Sequence, residues 1–303
     1  MTSTVLLALD GSDKDARAIP VAAAFAELAK AGVRVVRVFD TPVESLSARA
    51  GRLGVSRAAH DLRESAVTGV RAAAAQVGEL VRAPTTSEVI DHVDVAAALL
   101  RDIEVHAVTA VVMATRAAGA VGRAIRGSVA DQLVRESPRP VILVPPRADY
   151  LGGKHLRLRR VLVPLDGSEA SLGAITYLLA LPQARDLECV LIRVVAPAFH
   201  GRLGVPSAAV GSVGARAHVN AALAEKDLSY VAERLRGLGA TVEMRVVASP
   251  DASKAILDAV RTDLVEMIAM TTHGASGIAR VMLGSVAEAV VRGSEIPVML
   301  VTR

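Results

Sequence analysis

Asp10-Gly11-Ser12 and Asp166-Gly167-Ser168 repeat one triplet 156 positions apart. If such a triplet ends a strand of an α/β sheet, its carboxylate stands where ligands collect and can accept hydrogen bonds from ribose hydroxyls. The same letters can also be only a turn that caps the next helix, since Asp and Ser bond nearby backbone N–H groups and Gly turns easily. A second repeated pair is Gly127-Ser128 and Gly284-Ser285, now 157 apart. At a helix N-terminus, unpaired N–H groups and the positive dipole end make a phosphate site. There Gly lets backbone approach the ligand, and Ser adds a hydroxyl. The competing reading is again a simple N-cap. In the second instance the pair follows a glycine-rich loop, "THGASGIARVMLGS", which strengthens the phosphate reading.

These residues sit inside a longer repeat. "MATRAAGAVGRAIRGSVADQLVRESPRPVILV" from Met113 returns as "MTTHGASGIARVMLGSVAEAVVRGSEIPVMLV" from Met270. The Met, the Gly-Ser, the following Val-Ala and the closing Pro-Val-x-Leu-Val keep step. The chain is a duplication, and a period this long means two whole domains rather than a solenoid. The boundaries expected are 1–146 and 159–303, with 147–158 as a linker rich in Pro, Gly and charge. The basic residues Arg147, Lys154, His155 and Arg157 there read as a solvated connector.

Within the first copy, "TVLLALD" is a near-continuous apolar run, as in a strand buried on both faces. A helix follows, with Ser12 or Asp13 as its cap, Gly32 as its stop and Pro20 as a place for a kink. "VRVVRVF" is the next strand; a polar loop and a helix over about 58–82 come after it. "TTSEVIDHV", "TAVVMA" and "PVILVP" complete the strands, separated by helices in "DVAAALLRDIEVHA" and "GSVADQLVRES". The second copy offers "RRVLVPLD", "LECVLIRVV", "TVEMRVV", "DLVEMIAM" and "PVMLV". Five strands alternating with four helices predict two tandem, doubly wound, five-stranded parallel sheets flanked by helices, Rossmann-like in plan. The apolar last strands would invite aggregation if left open. They are expected to pair the two copies as an internal pseudo-dimer, and a homodimer of chains is compatible with this.

Composition narrows the partners. The 303 residues carry a net charge of +4, and aromatic residues are 2% of the chain, so stacking platforms for bases are scarce and nucleic acid is not expected. No apolar run is long enough for a membrane span, and the N-terminus lacks the features of a signal peptide. With one cysteine, Cys189, no internal disulfide is available. The expectation is a cytoplasmic protein without a membrane partner. Cys189 falls in a strand and reads as a small buried hydrophobe. The seven histidines show no zinc-ligand spacing, and no metal site is expected. No GxxxxGK[ST], GxGxxG or GxSxG motif occurs.

Taken together, the "LDGS" at the end of the first strand and the stretch from Met270 to Val301 resemble the universal stress protein family in its tandem form. The likeness covers nearly the whole chain, once per copy. Its nucleotide-binding branch carries Gly, two residues, Gly, nine residues, then Gly-Ser or Gly-Thr. In the second copy those places hold Thr271, Gly274, Gly284 and Ser285, and in the first Ala114, Ala117, Gly127 and Ser128. The second copy has therefore lost one glycine and the first two. Thr271 can either crowd the pocket or donate to a phosphate oxygen. The resemblance implies that backbone at Val38 and Val194 recognises adenine. It also implies that Ala8 and Pro164 line the ribose beside Asp10 and Asp166, and that Val129 and Val286 follow the phosphate contacts. The implied cofactor is ATP, with magnesium, held more readily by the second copy than by the first. His273 and Arg116 read as loop-packing residues.

Three functions compete. One is an ATP-binding regulatory stress protein without fast turnover and with no catalytic residue. Another is an interaction module that no longer binds nucleotide. The last is a slow ATPase or nucleotidyl-transfer enzyme, which needs Asp10 or Asp166 to orient metal or water.

Overall fold

A computed structural model describes residues 3–39, 52–115, 128–146, 156–197, 207–272 and 283–302. The chain forms two compact units, one of Met1–Arg157 with Glu295–Pro297 and Thr302, the other of Leu158–Ser294 with Val298–Val301 and Arg303.

The first unit starts with β1 (Thr4–Leu9), whose Val5, Leu6 and Leu7 are fully buried. Helix α1 (Asp15–Ala29) follows, then β2 (Gly32–Phe39), α2 (Arg52–Leu80), β3 (Thr85–Asp91), α3 (Val95–Val105), β4 (Val108–Ala114), α4 (Val129–Glu136) and β5 (Val141–Val144). The strands are parallel and ordered β3-β2-β1-β4-β5. Chain order reverses beside β1, which lies between β2 and β4. This is the switch point at which open α/β sheets bind their ligands.

The second unit repeats the plan. It runs β6 (Arg160–Pro164), α5 (Leu172–Leu179), β7 (Glu188–Val195), α6 (Ser207–Gly237), β8 (Thr241–Ala248), α7 (Ala252–Thr262), β9 (Met267–Thr271), α8 (Ser285–Gly293) and β10 (Val298–Val301). Its parallel order is β8-β7-β6-β9-β10, with β6 at the switch. The expected strands and helices, four α-helices to a unit, are present among the described residues.

Central strands are apolar on both faces because helices cover both. The outer strands β3 and β8 carry exposed polar residues instead, Thr86, Ser87, Glu88 and Asp91 on β3 and Thr241 and Arg245 on β8. In α1, ten of the fifteen residues are buried, mostly alanines, so the helix lies close on the sheet. It runs through Pro20, which falls on its sixth residue.

Several local expectations are corrected. Neither Ser12 nor Asp13 caps α1; the preceding residue is Lys14, which makes no side-chain cap. Gly32 does not stop it either. The stop is Lys30, in the left-handed conformation at φ +46, while Gly32 already opens β2. A Cβ on Gly32 would stand 2.8 Å from the carbonyl oxygen of Pro84, so the glycine answers to a neighbour 52 residues away. Helix α2 begins at Arg52, six residues before the expected start.

Charged residues anchor the amino ends of the strands, away from their carboxyl ends. Arg34 on β2 is buried and grips Asp102 of α3 with Nε and Nη2, at 2.9 and 2.8 Å, and also bonds Glu88. His106 Nδ1 stands 3.1 Å from the same Asp102. The second unit uses other residues. Arg160 on β6 bridges Glu188 and Glu243, and Arg245 meets the buried Asp263 at 3.2 Å.

Candidate functional site

In the second unit three strand ends converge. Strand β6 pairs with β7 through Pro164 and Ile192, and Leu165 N–H donates to Ile192 O at 2.9 Å. Asp166 therefore lies two residues past the last pair, level with Val194. On the far side of β7, Ser249 N–H donates to Val195 O, so the backbone groups of Val194 face the other way, past the end of β6. On the opposite flank, β9 ends at Thr271. Thr272 O accepts from Gly284 N–H at 2.9 Å, which seats the start of α8 against the strand end. Val194, Asp166 and the Gly284-Ser285 pair thus stand at neighbouring strand ends on the carboxyl edge of the sheet.

The Asp-Gly-Ser triplet is a tight turn in both copies. Gly11 and Gly167 hold φ +83 and +84, which L side chains avoid. Asp166 Oδ1 accepts from Ser168 N–H at 2.9 Å and Ser168 Oγ at 2.5 Å, and Asp10 Oδ1 accepts from Ser12 N–H at 2.8 Å. Both carboxylates fix their own turn, but neither caps the helix that follows: the N-cap residues Lys14 and Ser171 have no side-chain cap. Both residues are also exposed, as the ligand reading needs.

The Gly-Ser pairs differ between copies. Ser128 is the N-cap of α4, and its hydroxyl accepts from Asp131 N–H at 3.2 Å. Helix α8 instead has Gly284 as its N-cap and Ser285 as its first residue. Ser285 is exposed, and its hydroxyl has no partner among the described residues. The first intrahelical bond runs from Glu288 N–H to Gly284 O at 2.8 Å, leaving the earlier N–H groups, Val286 included, as donors without a helical acceptor. A Cβ on Gly284 would stand 3.2 Å from Thr272 O, so this position has little room for a side chain.

Thr271 is buried, and its methyl group packs 3.2 Å from the place a Cβ on Gly173 of α5 would take. That methyl belongs to the helix–strand contact. Ala8 is buried in β1 opposite Val36, and Pro164 is the last residue of β6. Val38 extends past the pairing of Leu9 with Arg37, level with Asp10, and Val129 opens α4. Gly127, Gly274, Ala117, Arg116 and His273 lie outside the described residues.

Sequence reasoning passed over Asp15, Arg37 and Arg193. Asp15 accepts from Asp10 N–H at 3.2 Å and Gly11 N–H at 2.7 Å. Burial raises its pKa above the usual carboxylate value, against the lowering pull of those bonds and of Arg37. The guanidinium groups of Arg37 and Arg193 lie across Gly11 and Gly167, where any Cβ would collide with them. The signal was available: the two arginines are 156 residues apart, the spacing of the triplets. Among the described residues no group of metal-ligating side chains occurs, and no helix is long and apolar enough to cross a membrane.

Comparison with known proteins agrees with this architecture. The family model described as the universal stress protein family matches residues 1–145 and again 157–302. A curated universal stress protein of Methanocaldococcus jannaschii is 26% identical over 145 residues, covering 48% of this chain and 82% of its own. Among solved structures, a universal stress protein from Archaeoglobus fulgidus superposes with a TM-score of 0.63 at 20% identity, covering 99% of this chain and 96% of its own. A protein from Pseudomonas aeruginosa described as a putative universal stress protein gives 0.57 at 12% identity, covering 100% and 93%. The chain belongs to the universal stress protein family and carries two copies of its domain in tandem.

Proposed function

We propose that this chain is a regulatory protein whose second copy holds ATP without fast turnover. The observation that carries the reading is the uncommitted start of α8. Ser285 is exposed, its hydroxyl has no partner among the described residues, and the N–H groups beside it lack helical acceptors. Such a helix end binds phosphate through its N–H groups and dipole. Asp166 would then receive the ribose hydroxyls, and the backbone of Val194 the adenine edge. Magnesium, when present, would neutralise phosphate charge. In the first copy the equivalent hydroxyl, Ser128, already serves Asp131 N–H. That copy fits the alternative role, a domain that has given up nucleotide and acts through contacts with proteins.

The test is Gly284→Asp. A carboxylate there would meet Thr272 O and repel phosphate. ATP affinity, measured by calorimetry on the full chain, is expected to fall about a hundredfold or more, roughly 2.7 kcal/mol. An unchanged unfolding midpoint would show that the fold is intact. Undiminished affinity would remove the phosphate site from the start of α8.

A further inference from the structure

Among the places where the two copies differ beside the Asp-Gly turn, the first has Asp15 where the second has Ser171. In the first copy, Gly11 N–H donates to Asp15 Oδ2 at 2.7 Å, and that carboxylate lies within electrostatic reach of Arg37. Arg37 in turn stretches across Gly11. The first copy has thus seated a carboxylate on the turn N–H, under a guanidinium.

The second copy keeps the turn and the guanidinium, since Arg193 stretches across Gly167 in the same way. The residue in the place of Asp15 is Ser171. Ser171 is buried, and its hydroxyl donates to Ser168 O at 2.7 Å, so it is committed to its own helix start. Among the described residues, Gly167 N–H has no acceptor and Arg193 has no hydrogen-bond or ion-pair partner. Arg193 is only partly exposed. A partly buried guanidinium beside a free N–H attracts an oxyanion, because charge-assisted hydrogen bonds to both donors replace lost hydration.

We propose that the second copy binds an oxyanion group of a small molecule, phosphate or carboxylate, on Gly167 N–H and the Arg193 guanidinium, where the first copy seats its own Asp15. This position belongs to the Asp-Gly turn, and the phosphate site at α8 is separate from it.

The test uses amide and arginine side-chain NMR spectra of the full, deuterated chain. Inorganic phosphate and, separately, acetate are titrated at constant ionic strength. Gly167 N–H and Arg193 Nε–H are expected to shift with saturation, while Gly11 N–H stays still. Saturation by phosphate alone identifies a phosphate-bearing ligand; saturation by acetate as well extends the site to carboxylates. Arg193→Gln should weaken binding about tenfold or more. Asp15→Ser should open the first copy, so that Gly11 N–H begins to respond. Ser171→Asp should silence Gly167 by supplying an internal carboxylate. A Gly167 signal unmoved by both anions, or responses at Gly167 and Gly11 that are alike and unsaturable, would overturn the proposal. Gly284→Asp should leave the Gly167 response intact, so the failure of either site can be told from failure of the other.

Discussion

Leu264 holds φ +50 with its side chain 79% exposed, just past the end of α7. A left-handed leucine costs about 1–2 kcal/mol, and this one recovers little by burial. Leu264→Gly should therefore stabilise the chain, by about 0.5–1 kcal/mol after the extra flexibility of unfolded glycine is counted. Denaturant unfolding would show a higher midpoint; a lower one would mean that the leucine has a packing role. Cys189 is buried in β7, and desolvation pushes its thiol up to about 11. Since the thiolate is the reactive form, it should resist thiol reagents at pH 8 in the native protein and react readily in denaturant. Fast native labelling would contradict its place in the sheet. Its role as a small hydrophobe was legible in the sequence, because Cys189 opens the apolar run Cys-Val-Leu-Ile of a strand. The position of Leu264 was not, since nothing about leucine announces a left-handed residue. Asp15 was hidden in the same way: its partners are backbone N–H groups, which leave no mark in the sequence. Because its pKa is raised on folding, ionising Asp15 is harder in the folded state. Its contribution to stability therefore falls as pH rises from the unfolded-state value through the folded one.

At the scale of elements, the parallel, doubly wound sheets follow from apolar strands alternating with amphipathic helices, and that pattern was readable from one end of the chain to the other. The boundaries were less so. Gly32 looks like a helix stop, yet its constraint comes from Pro84, across the strand pair β2–β3. The clamp of Arg34 on Asp102 was likewise invisible, because it joins residues 68 apart on β2 and α3. Asp102→Ala would leave the buried guanidinium with Glu88 as its remaining carboxylate partner. The cost should be about 3–5 kcal/mol, the range for breaking a buried pair. A loss below about 1 kcal/mol would show that Glu88 and water satisfy Arg34 unaided. The unit built on residues 158–303 uses Arg160 and Arg245 for the same end of the sheet. The duplication has kept the strand order while letting the charged anchors diverge.

For the whole molecule, duplication has given two Asp-Gly turns and two helix starts that no longer match. In the second copy Ser285 and Arg193 are uncommitted among the described residues; in the first, Ser128 and Arg37 both have internal partners. The sequence pointed to the same imbalance through the glycines replaced by Ala114, Ala117 and Thr271. It could not show that hydroxyl commitment follows that imbalance, because a serine reads alike whether it caps a helix or faces a crevice. The central claim is that the second copy is the nucleotide site. The most direct measurement is the nucleotide content of the gently purified chain, released by denaturation and resolved by anion-exchange chromatography, with calorimetry of ATP and magnesium on the emptied protein. The account predicts about one ATP per chain, a stoichiometry that Gly284→Asp abolishes. No nucleotide, together with no heat on titration, would contradict it.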